Sequence, residues 1–146
     1  MANNGIKALV FDVFGTVVDW RTSIAREAKE CLSPKGYKLD WLSFADKWRG
    51  KYQPAMEKVR SGGRGFVRLD ILHMENLTDV LNDFDIDRMV EADLDYLNRA
   101  WHRLDPWPDS VAGLLRLKKK FIIGTMSNGN VALMVNMAKN GGLPWD

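Results

Sequence analysis

Residues 8–20, ALVFDVFGTVVDW, carry a carboxylate, Asp12, at the end of an apolar run and follow it at once with the turn-forming Phe14-Gly15-Thr16. With Ile6 and Lys7 in front, the segment IKALVF is rich in strand formers and too short for a helix. It reads as a buried strand of the parallel type. An ionised carboxyl at the end of such a strand is costly unless it is paired or used. The carboxyl ends of strands are also where open α/β sheets present the groups that meet ligands. Gly15 lets the backbone come close to a ligand, and Thr16 is available to cap or to hydrogen-bond. Asp12 therefore has two readings: a group that does chemistry, or a cap on the following turn.

A second run of the same form, FIIGTMS at 121–127, ends in Ser127-Asn128-Gly129. Before it, PDSVAGLLRLKKK places Val111, Leu114 and Leu115 on one helical face, with Asp109 or Ser110 as cap and three lysines at the helix end. After it, Val131, Met134, Val135 and Ala138 recur at helical spacing, and Gly141-Gly142 supply a stop. Strand, helix, strand, helix is an α/β pattern. Ser127 and Asn128 offer a hydroxyl, an amide and backbone N–H donors suited to an anion; the competing reading is a capping turn before the helix at 131.

About ninety residues of different character separate the two strands. Trp41, Ala45, Trp48, Tyr52, Met56 and Val59 keep helical spacing, with Pro54 expected to kink or interrupt the run. Val67, Ile71, Met74, Leu77 and Leu81 form a second such series, and Val90, Leu94, Leu97, Trp101 and Leu104 a third. The breakers are SPKGY, RSGGRG and DFDID. The expected architecture is α/β: a Rossmann-like parallel core from residues 1–19 and 106–146, with an all-helical cap, 20–105, inserted over the carboxyl ends of the strands. Arg49 falls on the inward stripe of the first helical series. It is either a snorkelling arginine at a rim or one that meets an anion in a pocket. Trp20, Trp41, Trp101 and Trp107 read as packing rather than as a stacking platform, since no basic residues interleave with them.

The chain has 146 residues, 46% of them apolar, enough to bury a core. Its 21 basic and 19 acidic side chains are spread along the chain, which argues against nucleic acid or an anionic membrane as partner. No apolar run reaches the roughly 18 residues of a membrane span, and MANNGIK at the amino terminus lacks the apolar region of a signal peptide. The single cysteine, Cys31, forms no internal disulfide and fits a reducing, cytoplasmic setting. His73 and His102 lack ligand-like neighbours, so a zinc site is not expected, and the reading includes no metal and no cofactor.

Taken together, VFDVFGTVVDW, WRGKY and GTMSNGN resemble the haloacid dehalogenase superfamily, and within it the L-2-haloacid dehalogenases. Phosphatases of the superfamily carry a second aspartate two residues after the nucleophile; here that position is Phe14, which neither donates a proton nor binds a hard cation. A halide leaves without a proton, so an aromatic side chain is acceptable there. The resemblance implies that Asp12 is the nucleophile, with Thr16 as its support. It implies that Arg49 and Asn128 receive the halide, and that Ser127 and nearby backbone N–H groups hold the substrate carboxylate. Val13 and Phe14 then line the substrate site beside Arg49, Ser127 and Asn128. The implied partners are a small 2-haloacid and the released halide, in a homo-oligomer, a dimer.

The resemblance further implies, past Asp146, another strand, a lysine that pairs with the nucleophile and an acidic strand end that helps activate water. The expectation is therefore a C-terminally truncated dehalogenase with impaired turnover; Lys139, on the preceding helix, is not expected to substitute. Two alternatives stay open: a magnesium-dependent phosphatase of the same superfamily, and a non-catalytic interaction module.

Overall fold

In the computed structural model, β1 (Ala8–Phe11) and β4 (Ile122–Thr125) lie side by side in parallel, with Ala8 opposite Ile122 and Phe11 opposite Thr125. The structure describes residues 5–146; Met1–Asn4, which belong to the MANNGIK segment and to the expected core span, lie outside the described residues. A second, antiparallel pair joins β2 (Val18–Asp19) to β3 (Asp105–Pro106). Among the described residues there are thus two open two-stranded sheets, one parallel and one antiparallel, and two-residue strands such as those of the antiparallel pair carry no readable sequence pattern.

β1 is not buried on both faces, as its apolar run suggested. Val10 is 55% exposed and Ile122 is 62% exposed, whereas Ile123, on the opposite face of the sheet, is fully buried. An unbroken apolar run does not distinguish a strand covered on two faces from one covered on one. The helices beside the sheet correct the sequence reading in a similar way. In α6 (Ser110–Lys118) Leu114 is buried and Leu115 is 48% exposed. In α7 (Val131–Gly141) the buried positions are Leu133 and Met137, while Val131 and Val135 face outward. Both patterns have helical period, and period alone leaves the phase of the buried stripe open where apolar residues abound. Gly142 ends α7 in the left-handed region, at φ 67°, as the Gly-Gly stop predicts.

The chain divides into two compact units. One consists of the amino-terminal residues through Trp20 together with His102–Asp146, and the other is Arg21–Trp101. The first holds both sheets, α6 and α7. The second is helical throughout: the body of α1 (Trp20–Leu32), then α2 (Trp41–Gly50), α3 (Tyr52–Arg60), α4 (Leu69–Asp83) and α5 (Glu91–Asn98). Among the described residues no helix is long and apolar enough to cross a membrane.

Local sequence explains the helical boundaries. Asp40 caps α2 by accepting from the Leu42 and Ser43 amides, each at 3.1 Å. The series running from Trp41 to Val59 breaks at Lys51, so Pro54 sits in the first turn of α3, where its missing N–H removes little. In α4 the buried stripe is Leu69, Leu72, His73, Asn76, Leu77, Val80 and Leu81. Ile71, expected to face inward, is 41% exposed, and Val67 precedes the helix.

The core of the helical unit is built around Trp48 and Trp101, each 1% exposed. Their rings meet edge to face at 5.5 Å between centroids, and His73 stacks on Trp101 at 4.4 Å. The Trp48 indole N–H donates to the His73 carbonyl at 3.0 Å, so its polar atom is satisfied inside the core.

Candidate active site

Parallel pairing puts the carboxyl ends of β1 and β4 at the same edge of the sheet. The Met126 amide donates to the Phe11 carbonyl at 2.7 Å, which extends the pairing by one residue. Asp12 and the segment Ser127-Asn128-Gly129 thus leave the sheet from neighbouring strand ends, the position at which open α/β sheets bind ligands.

Asp12 is exposed, which corrects the expectation of a buried carboxylate and removes the desolvation argument for its use. Its carboxylate is nevertheless held: the Thr16 hydroxyl donates to Oδ2 at 2.8 Å. The turn between them is closely specified. The Val17 and Val18 amides both donate to the Val13 carbonyl, at 2.9 and 3.2 Å, and the Gly15 amide donates to the Val18 carbonyl at 3.0 Å. Gly15 has φ 91°, a conformation that a side chain disfavours, and a Cβ there would lie 3.4 Å from the Trp20 indole nitrogen. Val13 is fully buried and Phe14 half-buried, the latter bridged to Val18.

On the neighbouring strand end, Ser127 is half-buried and Asn128 exposed. Asn130 occupies the position before α7, and Ser127 and Asn128 lie further ahead, in the turn that leads into the helix. Gly129 has a close neighbour: a Cβ there would collide with the Met134 methyl. Arg49 belongs to the helical unit, in the last turn of α2. It is half-buried, with its guanidinium carbon 4.4 Å from the centre of the Tyr52 ring, a cation–π contact.

Two residues hold this region together that spacing did not single out. The Trp107 indole N–H donates to the Gly15 carbonyl at 3.0 Å, and the Trp107 amide donates to the Val17 carbonyl at 3.0 Å. The Ser110 hydroxyl donates to the same Val17 carbonyl at 2.7 Å. Spacing alone makes Trp107 a packing residue and Asp109 or Ser110 a helix cap. At 38% exposure Trp107 is only partly covered, and no local pattern links it to residues ninety or more positions earlier. The outer side of β4 is fastened as well. The Ile123 amide donates to Asp146 at 2.8 Å, Lys118 pairs with Asp146 at 2.9 Å, and both contacts hold the Asp146 carboxyl below its ordinary range, the amide contributing most.

This arrangement presents an oriented carboxylate beside a strand end rich in hydrogen-bond donors, suited to nucleophilic chemistry on a small anion. Among the described residues no three His, Cys, Asp or Glu side chains gather as a metal site.

The family model described as "haloacid dehalogenase-like hydrolase" matches residues 6–143. Among solved structures, the chain is 52% identical to a defluorinating L-2-haloacid dehalogenase, with a TM-score of 0.94, covering 97% of this chain and 58% of that one. A second L-2-haloacid dehalogenase is 42% identical, with a TM-score of 0.91, covering 97% and 60% of the two chains. An L-2-haloacid dehalogenase from Xanthobacter autotrophicus with chloropropionic acid covalently bound shares the fold, with 24% identity, a TM-score of 0.82, and coverage of 97% and 55%. The chain therefore spans somewhat under two thirds of the length of these proteins. No curated protein matches it.

Proposed function

The chain belongs to the haloacid dehalogenase-like hydrolase family, and from that premise we propose that it acts on short L-2-haloacids through Asp12. One Asp12 carboxylate oxygen attacks C2 of the substrate from the side opposite the halogen. The carbon–halogen bond breaks, its electron pair leaves with the halide, and C2, inverted, is held as an ester on the enzyme. Water then adds to the aspartyl carbonyl carbon of that ester, the acyl–oxygen bond between that carbon and the ester oxygen breaks, and the ester oxygen leaves on C2 as the hydroxyl of a 2-hydroxyacid, taking one proton of the water while the other goes to solvent as the Asp12 carboxylate reforms.

The roles follow the chemistry of each side chain. Thr16 orients Asp12 through the hydrogen bond to Oδ2. Arg49 and Asn128 receive the developing halide, and Ser127 with adjacent backbone N–H groups holds the substrate carboxylate; donors fixed in advance favour charge where it forms. Val13, buried through its side chain, contributes its backbone, and Phe14 supplies an apolar wall. The likeness to two L-2-haloacid dehalogenases at 52% and 42% identity supports this assignment over others in the family. A homodimer and a cytoplasmic location belong to the same reading.

The observation that carries the proposal is the Asp12 turn itself: an accessible carboxylate held by a hydroxyl at 2.8 Å, with a phenyl ring two residues on where phosphoryl transfer needs an acid. The Phe14 side chain offers a magnesium ion no oxygen ligand where an aspartate would. Halide release from L-2-chloropropionate by the chain and by Asp12→Asn tests it. Release that depends on Asp12 supports the reading, and equal release by both rejects it. Hydrolysis of p-nitrophenyl phosphate that needs magnesium would favour the phosphatase alternative instead.

A further inference from the structure

We propose that Trp107 and Ser110 are positioning residues for Asp12, an inference that rests on the nucleophilic role given to that carboxylate. Thr16, whose hydroxyl donates to Asp12, stands between two carbonyls, those of Gly15 and Val17. Both are clamped from the same short segment. Trp107 donates its indole N–H to Gly15 and its amide to Val17, each at 3.0 Å, and Ser110 donates its hydroxyl to Val17 at 2.7 Å. The Gly15–Thr16 and Val17–Val18 peptide units are thereby fixed, the Thr16–Val17 unit between them is held by the Val17 amide on the Val13 carbonyl, and with them is set the direction in which the Thr16 hydroxyl points.

The clamp is itself anchored. Trp107 lies between Pro106 and Pro108, which restrict the backbone on both sides of it. Pro106 pairs with Val18 in the small antiparallel sheet, and Ser110 opens α6. The hydroxyl of Ser110 is used across the chain, since the helix position before it, Asp109, makes no side-chain cap. Trp107 is 38% exposed, so its indole is not explained by burial alone; its N–H is the part that reaches the turn.

Displacement at a tetrahedral carbon requires the attacking oxygen in line with the leaving group, and a misplacement of about 1 Å costs up to roughly a hundredfold in rate. Removing one donor of the clamp loosens Thr16 without removing any group that touches substrate. The expected signature is a lower saturating rate with the half-saturating concentration little changed.

The test compares the wild-type chain with Trp107→Phe, Ser110→Ala and Ser110→Thr. Two quantities are read: halide released in the first turnover across a range of L-2-chloropropionate concentrations, and hydrogen exchange at the Gly15, Val17 and Val18 amides. Trp107→Phe keeps the ring and loses the indole donor; Ser110→Thr keeps the hydroxyl and serves as the rescue. The proposal expects about a tenfold or greater fall in saturating rate for Trp107→Phe and Ser110→Ala, faster exchange at the three amides, and return of both toward wild type in Ser110→Thr. Unchanged exchange in the two donor-loss variants overturns it, as does an unchanged saturating rate. A wild-type chain that protects these amides yet releases no halide rejects the dehalogenation reading, and with it a positioning role toward a nucleophile.

Discussion

Thr16 donates its hydroxyl to Asp12 at 2.8 Å across a turn of four residues, so the carboxylate that ends β1 has one oxygen held and the other available. Thr16→Val preserves the shape and β-branching of the side chain and removes the donor. We expect the saturating rate of halide release from L-2-chloropropionate to fall by roughly tenfold or more, since an unsteered carboxylate samples unproductive orientations. Thr16→Ser, which keeps the hydroxyl, should stay closer to wild type in the same assay.

Gly15 occupies a left-handed conformation at φ 91° inside that turn, where an alanine is strained by about 1–2 kcal/mol. Its Cβ would only touch the Trp20 indole, at 3.4 Å, so the cost lies in the backbone. Gly15→Ala should lower the denaturant midpoint of the sheet-containing unit, followed by amide exchange at Val17 and Val18. An unchanged midpoint would mean that the turn relaxes freely.

Within the helical unit, Trp48 is buried against Phe44, His73 and Trp101 and has its indole N–H satisfied by the His73 carbonyl. Trp48→Ala opens a cavity and leaves that carbonyl short of a donor, and should cost about 3–5 kcal/mol. Urea unfolding followed by far-ultraviolet circular dichroism measures the loss. Leu115→Ala, at an exposed position of α6, is the control and should fall within about 0.5 kcal/mol of wild type.

Asp146 is held below its ordinary carboxyl range first by the Ile123 amide and then by Lys118. A carboxyl depressed in the folded state stabilises it above the unfolded value, and that contribution is lost as the pH falls through the folded value. Acidification below the ordinary carboxylate range should therefore release residues 144–146 from the edge of β4. The Ile123 amide resonance, followed from neutral to acid pH, should report that release, and Asp146→Asn should show the weakened contact already at neutral pH.

How much of this was legible in the sequence differs from element to element. The two core strands were readable because apolar runs of strand length flank turn residues, and the helical stretch because its periodicity persists between clear breakers. Phase was less readable: Val131 and Val135 have the right spacing but face outward, while Leu133 and Met137 are buried. The burial of β1 was overestimated because the run carries apolar residues on both faces. At the candidate site, Asp12, Thr16, Ser127 and Asn128 stand out in the sequence because strand ends in α/β folds expose ligand-binding groups, and the structure places them at neighbouring strand ends. Trp107 and Ser110 carry no such signal, because their partners lie ninety or more residues away and are carbonyls, which have no side-chain signature.

The account stands on Asp12 forming a bond to the substrate carbon. Incubation of the chain with L-2-chloropropionate in water enriched in heavy oxygen, followed by mass spectrometry of the peptide containing Asp12, reads that bond directly. The account predicts that this peptide gains either the ester or, after ester hydrolysis, heavy oxygen in the Asp12 carboxylate. Released 2-hydroxypropionate carrying the heavy oxygen, with the Asp12 peptide unaltered, would contradict it.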